Sequence, residues 1–208
     1  MERSTIDKLK KLFGKNLIGP DELRPFLKVW DDGLSDFPVP ELNYSIEELE
    51  QYAVDYLLVM GLPAVGSVPI TIRTLRDSFG VNPDVSEPCF YNQDWYMHED
   101  FIDQHLESRW YLIRKEVVEA SRAVMPEELM RKFSFPSAIL CAFVFFAYFF
   151  QTGEYLWYYD FVWCCDTDHN GDRIYVGKYH DVDGINKNGF SVHRHLALRN
   201  CYAAVNVK

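Results

Sequence analysis

The strongest pattern of hydrophobic and polar positions lies between residues 45 and 60. Apolar residues recur there every three or four positions, which is the spacing of an amphipathic helix; they are Ile46, Leu49, Ala53, Tyr56, Leu57 and Met60. Ser45 and Glu48 have the spacing of a capping box, in which each side chain binds a backbone N–H at the start of a helix. Gly61 and Pro63 are typical of a helix end. The pattern therefore predicts one helix over residues 45–60, packed on a core.

Shorter patterns of the same kind predict further helices in the first half of the chain. They cover residues 4–13, a short stretch after Pro20, residues 71–79 and residues 94–106. Gly14 and Gly80 directly follow two of these stretches and are typical of helix ends. The first half is thus predicted to be mainly helical.

The pattern changes to that of β-strands after residue 107. Runs rich in aromatic, β-branched and other apolar residues are typical of strands, and they occupy residues 110–118, 155–165, 173–179, 190–198 and 202–207. Asn170 and Gly171 lie between two of these runs, and Asn-Gly is a strong signal for a tight hairpin turn. We therefore expect an antiparallel sheet in residues 108–208.

Residues 138–150 form the most apolar segment, with 13 uncharged and mostly hydrophobic residues. Ser137 and Gly153 are typical of a helix start and a helix end, so the segment predicts a helix over residues 137–151. As a helix the apolar segment is about 20 Å long, whereas the hydrocarbon core of a membrane is about 30 Å thick. Membrane insertion is the alternative, but the length favours a helix buried at the centre of the core.

Together these elements predict an α+β fold, in which a mainly helical N-terminal half packs on an antiparallel sheet around a buried apolar helix. The 208 residues are enough for one large domain or two small ones. Because no long flexible linker separates the halves, we expect a single domain over residues 1–208. The alternative organisation has two lobes, an acidic lobe at 1–107 and a sheet lobe at 108–208.

Charge is distributed unevenly over this chain, whose formal net charge is −10. Residues 1–104 contain 9 Lys and Arg against 19 Asp and Glu, whereas residues 105–208 contain 12 of each kind. The first 15 residues are basic, so the acidity is concentrated between residues 21 and 107. Such a segment is either a surface for a basic partner or an ordinary solvated surface. The net charge of −10 argues against a general nucleic-acid binder, which usually has a basic surface.

An aspartate-rich loop in the second half has the opening of a calcium-binding loop. Oxygen-bearing side chains stand there at alternate positions, which suits the coordination of a hard cation; they are Asp166, Asp168, Asn170 and Asp172. The twelfth position, however, is Gly177 instead of the glutamate that binds calcium through two oxygens. The same residues are also typical of a tight turn, so turn and cation site remain as alternatives.

A second candidate metal site contains His193 and His195. Alternate residues of a strand face the same side, so both imidazoles can reach one metal ion. His180, Asp181 and Asp183 are candidates for the remaining ligands. The alternative is a pair of histidines on the solvent-facing side of a strand, with an apolar face opposite.

A third candidate site combines aromatic and acidic residues between positions 91 and 101. Its principal members are Asp94, Trp95, Tyr96 and Glu99. Tryptophan and tyrosine dominate the energetics of protein interfaces, which favours a binding surface. Aromatic side chains also fill cores, which is the alternative.

The sequence lacks the common signatures of several enzyme classes. It contains no Gly-x-Gly-x-x-Gly, no phosphate-binding Gly-Lys-Ser/Thr and no His-Glu-x-x-His, which argues against common nucleotide-binding and zinc-protease sites. The five cysteines form no Cys-x-x-Cys pair, which argues against a zinc ribbon.

These observations favour a non-catalytic protein that presents its acidic segment to a protein partner, with a basic partner as the best match. A cytoplasmic location, no cofactor, no membrane association and a bacterial accessory or immunity-type role accompany this expectation. The alternative is a metal-dependent hydrolase or metal-binding enzyme, in which the His193/His195 pair and the aspartate-rich loops hold a divalent metal ion.

Overall fold

Helices and three small sheets make up the chain in a computed structural model, which describes residues 1–31, 37–179, 189–195 and 197–208. The predicted α+β class is confirmed. Both sheets of three or more strands contain parallel as well as antiparallel neighbours.

Two helices and a short strand open the chain. Helix α1 (Arg3–Phe13) ends at Gly14, whose φ of 54° lies in the left-handed region that favours glycine. Strand β1 (Leu17–Ile18) leads to helix α2 (Pro20–Leu27). Both predicted helices are therefore confirmed.

The long helix predicted over residues 45–60 is wrong beyond residue 52. Helix α3 (Ile46–Tyr52) does begin as predicted, with the Ser45 hydroxyl accepting the Glu48 backbone N–H at 3.1 Å. After a turn the chain forms strand β2 (Tyr56–Met60), in which every residue is buried. A short, continuous apolar run suits a strand covered on both faces, and these residues contain such a run.

A hairpin and a helix follow. Strands β3 (Ala64–Val65) and β4 (Val68–Pro69) precede helix α4 (Ile72–Phe79), which ends at Gly80 as predicted. The Thr71 hydroxyl accepts the Thr74 backbone N–H at 3.1 Å at the start of this helix.

The α-helix predicted over residues 94–106 is wrong, because this segment contains turns and a short 3₁₀ helix at Asp100–Asp103. Tyr96 and Phe101 are both buried. On one α-helix these positions would point about 140° apart. The irregular backbone of this segment allows both rings to reach the core.

Strand β5 (Trp110–Arg114) completes the first sheet, whose order is β1-β2-β5. The first pair is parallel and the second is antiparallel, with Leu58 opposite Leu112. This sheet thus joins strands from both sides of residue 107.

A very short helix, α5 (Pro126–Leu129), precedes the central helix α6 (Ala138–Thr152). All residues from Ala138 to Tyr148 are buried, which confirms the predicted central helix. Its Phe146 ring stacks on Phe79 at 4.4 Å and on Phe90 at 5.1 Å between ring centroids. In the part of the chain that the structure describes, no helix has the length and hydrophobicity to span a membrane.

The second sheet contains strands β6 (Phe161–Thr167), β7 (Arg173–Tyr179), β8 (Gly189–Arg194) and β9 (Tyr202–Ala203), in the order β8-β7-β6-β9. Three of these strands are antiparallel, as expected, but β9 is parallel to β6. One face of this sheet joins the main core, and the other carries a separate aromatic cluster around Trp163, Tyr175 and Tyr202.

The segment from β9 to residue 208 connects the two larger sheets. Ala204 accepts a backbone hydrogen bond from Val118 at 2.8 Å, just after β9 leaves β6. Asn206 then accepts one from Arg114 at 2.9 Å, and Val207 lies opposite Ile113 of β5. Backbone pairing therefore runs from one sheet into the other.

Candidate functional site

The predicted hairpin between β6 and β7 is confirmed. The Asp168 N–H donates to the Asp172 carbonyl at 3.0 Å, and the Gly171 N–H donates to the Asp168 carbonyl at 2.9 Å. Gly171 has a φ of 84°, which glycine tolerates best. The Asn-Gly signal thus correctly located the turn.

Asp168 is the buried centre of this turn. Its Oδ1 accepts the backbone N–H groups of Asn170 at 2.9 Å and Asp172 at 2.8 Å. Its Oδ2 accepts a hydrogen bond from the Arg194 guanidinium at 3.2 Å. Burial by itself would raise the pKa of Asp168, but these hydrogen bonds outweigh burial and lower it. The carboxylate is therefore ionised and fully engaged within the protein.

Glu99 binds the same turn from a segment 70 residues earlier. Its carboxylate is 7% exposed and accepts the backbone N–H of His169 at 2.9 Å. The other oxygen lies 2.6 Å from Nδ1 of His169, whose side chain is 68% exposed. A buried carboxylate thus orients an exposed imidazole and leaves its Nε2 for other partners.

Trp95 connects this segment to β8. Its indole N–H donates to the Val192 carbonyl at 3.0 Å, and the Arg194 guanidinium carbon lies 5.3 Å from the centre of its ring. Asp94 accepts a hydrogen bond from Arg76 at 2.8 Å. The segment predicted as an aromatic–acidic surface therefore packs against the aspartate-rich hairpin.

Tyr96 contributes to the core side of this segment. Its side chain is fully buried, and burial raises the pKa of Tyr96 to about 12. Of the four predicted surface residues, Asp94 is exposed, Trp95 is half-buried, and Tyr96 and Glu99 are buried.

Glu99, Asp168 and His169 each offer one ligand atom within 4.8 Å of the others. Among the described residues, they form the sole group of three or more His, Cys, Asp or Glu with this spacing. Two carboxylates and an imidazole suit a divalent ion such as Zn²⁺ chemically. A metal ion here would have to displace the guanidinium of Arg194 or the imidazole from their present hydrogen bonds. In the structure, the hydrogen bonds between Glu99 and His169 connect the hairpin to residues 94–99.

Asp166, Asn170 and Asp172 do not join this group. The Asp166 carboxylate accepts the Ala138 N–H at 2.6 Å, at the start of α6. Burial raises the pKa of Asp166, against the opposing effect of this hydrogen bond. Asn170 is exposed at the turn, and Asp172 takes part in the turn through its backbone. The predicted four oxygens thus serve a helix start and a turn.

His193, in β8, and His195, directly after the end of β8, lie on the same side of the sheet, as predicted, but this side is aromatic. The His193 ring stacks on Tyr175 at 5.3 Å, and the His195 ring contacts Trp163 edge-on at 5.4 Å. Burial, with the nearby charge of Arg199, lowers the pKa of His193 to about 4, so this imidazole is neutral at pH 7. Neither histidine belongs to a group with metal-binding spacing among the residues that the structure describes.

The remaining predicted ligands, His180, Asp181 and Asp183, lie outside the described residues.

His169 is the member of the site that the sequence did not identify. Its position beside Asp168 was a local signal, but its pairing with Glu99 depends on a contact between distant segments. In comparisons with protein-family models, curated proteins and solved structures, nothing matches this chain.

Proposed function

We propose that this chain is a non-catalytic binding protein that presents its acidic segment, residues 21–107, to a basic protein partner. The segment contains 18 Asp and Glu against four Lys and Arg. Three of those four cations already form ion pairs within the segment, and their carboxylate partners are Asp21, Asp103 and Asp94. Cations outside the segment pair with some of its other carboxylates, as Lys10 does with Glu22 and Lys178 with Glu87. The segment still retains a large excess of carboxylates over cations, and this observation carries the proposal.

Much of this excess faces solvent. The exposed carboxylates of the segment include Glu47, Asp55, Asp77, Asp84 and Asp100. A surface with one predominant charge accelerates encounter with an oppositely charged partner. The same charge repels phosphate backbones, so nucleic acid is not proposed as a partner.

A cytoplasmic location forms part of this proposal. All five cysteines are free thiols, which is the state that a reducing compartment maintains. An accessory or immunity-type role in a bacterium fits a small acidic binding protein, and no cofactor is required.

A titration with a ten-residue oligolysine peptide tests the proposal. The variant Glu47→Lys/Asp55→Lys reverses two exposed charges of the acidic segment. The matched control Glu127→Lys/Glu128→Lys reverses two exposed charges of α5, outside that segment. We expect the first variant to bind about fivefold more weakly or worse, and the control to bind like the wild type, at low salt where charges are screened least. Equal losses in both variants would mean that net charge alone governs binding.

A metal-binding function is the second candidate, and the spacing of Glu99, Asp168 and His169 favours it. Zn²⁺ and Ca²⁺ titrations of chelator-treated protein, followed by thermal unfolding, test this candidate. A ligand that binds only the folded state raises the unfolding midpoint. The variant His169→Ala should abolish such a rise, whereas His98→Ala, which changes another exposed histidine, should not. Because the donors are already hydrogen-bonded, we expect no rise at sub-millimolar concentrations of either ion.

A further inference from the structure

A cavity of about 260 Å³ lies beside the C-terminal end of α6. It is formed by residues 115–116, Tyr148 and residues 154–160, and is named the tyrosine cavity below. Five aromatic side chains, three carboxylates and one lysine line it. Binding sites for small ligands are concave, with mainly apolar walls and a few polar groups. The tyrosine cavity is concave and lined by aromatic rings, but it is more polar than such sites usually are, and most of its charged groups are negative.

The tyrosines around this cavity already contact ammonium groups of the protein itself. Nζ of Lys178 lies 3.3 Å from the ring centre of Tyr155 and 5.2 Å from that of Tyr158. Nζ of Lys115 lies 5.3 Å from the ring centre of Tyr148. The electron-rich face of an aromatic ring attracts a cation at these distances. The local chemistry therefore favours alkylammonium groups.

Two of the carboxylates at the cavity are accessible to a ligand. The Glu154 side chain is 59% exposed, accepts a hydrogen bond from the Tyr148 hydroxyl at 3.3 Å and lies 4.0 Å from Nζ of the exposed Lys15. Glu116 is also exposed. Asp160 is more strongly engaged, in a close and less exposed ion pair with Arg122. Glu116 and Glu154 thus supply negative charge beside the aromatic walls.

The floor and the rim of the cavity differ in exposure. Trp157 is buried, and its indole N–H donates to the Lys115 carbonyl at 3.1 Å. Its φ of 50° is rare for a bulky residue, so packing holds it in a costly conformation. Tyr158 and Tyr159 are 39% and 77% exposed. Both rings therefore have solvent-accessible surface beside the cavity.

We propose that the tyrosine cavity binds an alkylammonium group of the lysine type. Aromatic faces and carboxylates together favour a cation over an anion or a neutral group. The source is either a lysine side chain of a partner protein or a free alkylamine, because both carry the same group. The cavity lies outside residues 21–107, so this proposal does not depend on the acidic segment.

Three probes test the proposal: Nα-acetyl-lysine amide, n-butylammonium and the neutral Nα-acetyl-norleucine amide. The indole N–H resonance of Trp157 reports binding in NMR titrations. We expect both cations to shift this resonance saturably and the norleucine compound to leave it unchanged. Tighter binding of the lysine compound than of n-butylammonium would identify a polypeptide as the source, and the reverse order would identify a free amine. Equal binding of the norleucine compound would overturn the proposal.

Two variants locate the binding site. Tyr159→Ala and Glu116→Gln change exposed residues of the cavity, and we expect each to weaken the binding of Nα-acetyl-lysine amide about threefold or more. Val85→Ala and Glu127→Gln change exposed residues elsewhere and serve as controls. Binding that is equal in all four variants would place the cation outside the cavity and overturn the proposal.

The variant Glu47→Lys/Asp55→Lys separates this proposal from the function proposed above. We expect it to bind Nα-acetyl-lysine amide like the wild type, because neither residue lines the cavity. A loss of oligolysine binding with retained binding of the lysine compound would support both proposals. A parallel loss in this variant would show that the lysine compound binds the acidic segment, and would contradict the cavity assignment.

Discussion

Asp168 joins its own turn to β8 through a single carboxylate. Its oxygens bind the backbone of its own turn and the side chain of Arg194, while the next residue, His169, is held by Glu99. Hydrogen bonds to charged groups contribute about 1.5–3 kcal/mol each to stability. The loss of this carboxylate therefore loosens the hairpin and its contact with β8, next to the residue that Glu99 holds.

Replacing Asp168 by asparagine should lower the free energy of unfolding by about 1–3 kcal/mol. The pKa of Asp168 is lower in the folded state than the ordinary aspartate value of about 3.9. The stabilisation by the ionised carboxylate is therefore fully present above that ordinary value, and it is lost as the pH falls through the folded-state pKa. The variant should therefore lose most at pH 7 and little at pH 2. Urea unfolding at both pH values measures this, with Asp172→Asn as the control, since Asp172 joins the turn through its backbone.

The cap of α3 gives a second prediction for a single residue. Ser45→Ala removes the acceptor of the Glu48 N–H and should lower the free energy of unfolding by about 1 kcal/mol. Ser67→Ala, at an exposed turn, should have a much smaller effect. Chemical denaturation compares the two variants, and equal stability of Ser45→Ala and the wild type would contradict the role of the cap.

At the level of elements, local signals predicted starts, stops and turns well. The glycine stops of α1 and α4 and the Asn-Gly turn depend on backbone conformations that neighbouring residues determine. Strand β2 was missed because its apolar residues also have helical spacing, and its strand form depends on β1 and β5 on either side. The pairing of Glu99 with His169 was likewise missed, because it joins segments that are far apart in sequence.

The hairpin between β6 and β7 gives a prediction at this level. A Cβ at position 171 would meet nothing within 4 Å, so a substitution there tests the backbone conformation rather than crowding. Gly171→Val should destabilise the protein, since a β-branched residue resists positive φ. The loss in the free energy of unfolding should be smaller for Gly171→Asn than for Gly171→Val, by about 1 kcal/mol, because asparagine tolerates the left-handed region. Thermal unfolding ranks the two variants, and the reverse order would contradict the observed turn.

At the level of the whole molecule, α6 is the centre of one aromatic core. The phenylalanine rings of α6 contact one ring each from α2, α4 and β8, namely Phe26, Phe79 and Phe190. Aromatic pairs of this kind stabilise the folded state more than their buried surface area alone would predict. The helix therefore holds elements of both halves of the chain together.

Phe146→Ala should lower the free energy of unfolding by about 3–5 kcal/mol, because it removes a fully buried ring and leaves a cavity. Phe150→Ala, at a half-buried position of the same helix, should cost less. If Phe146→Ala does not fold, Phe146→Leu measures a smaller loss at the same site. Urea unfolding gives these values, and a loss no larger at residue 146 than at residue 150 would contradict the central position of Phe146.

The pairing of residues 202–208 with both larger sheets has a consequence for amide hydrogen exchange. The N–H of Val118 binds the Ala204 carbonyl, and the N–H of Arg114 binds the Asn206 carbonyl. We expect that, when residues 202–208 detach from one of the two larger sheets, they also detach from the other. The amides of both sheets that are bonded to this segment then become exposed to solvent together. Amides of β5 and β6 should therefore exchange with deuterium in one cooperative unit, with similar protection and the same dependence on denaturant.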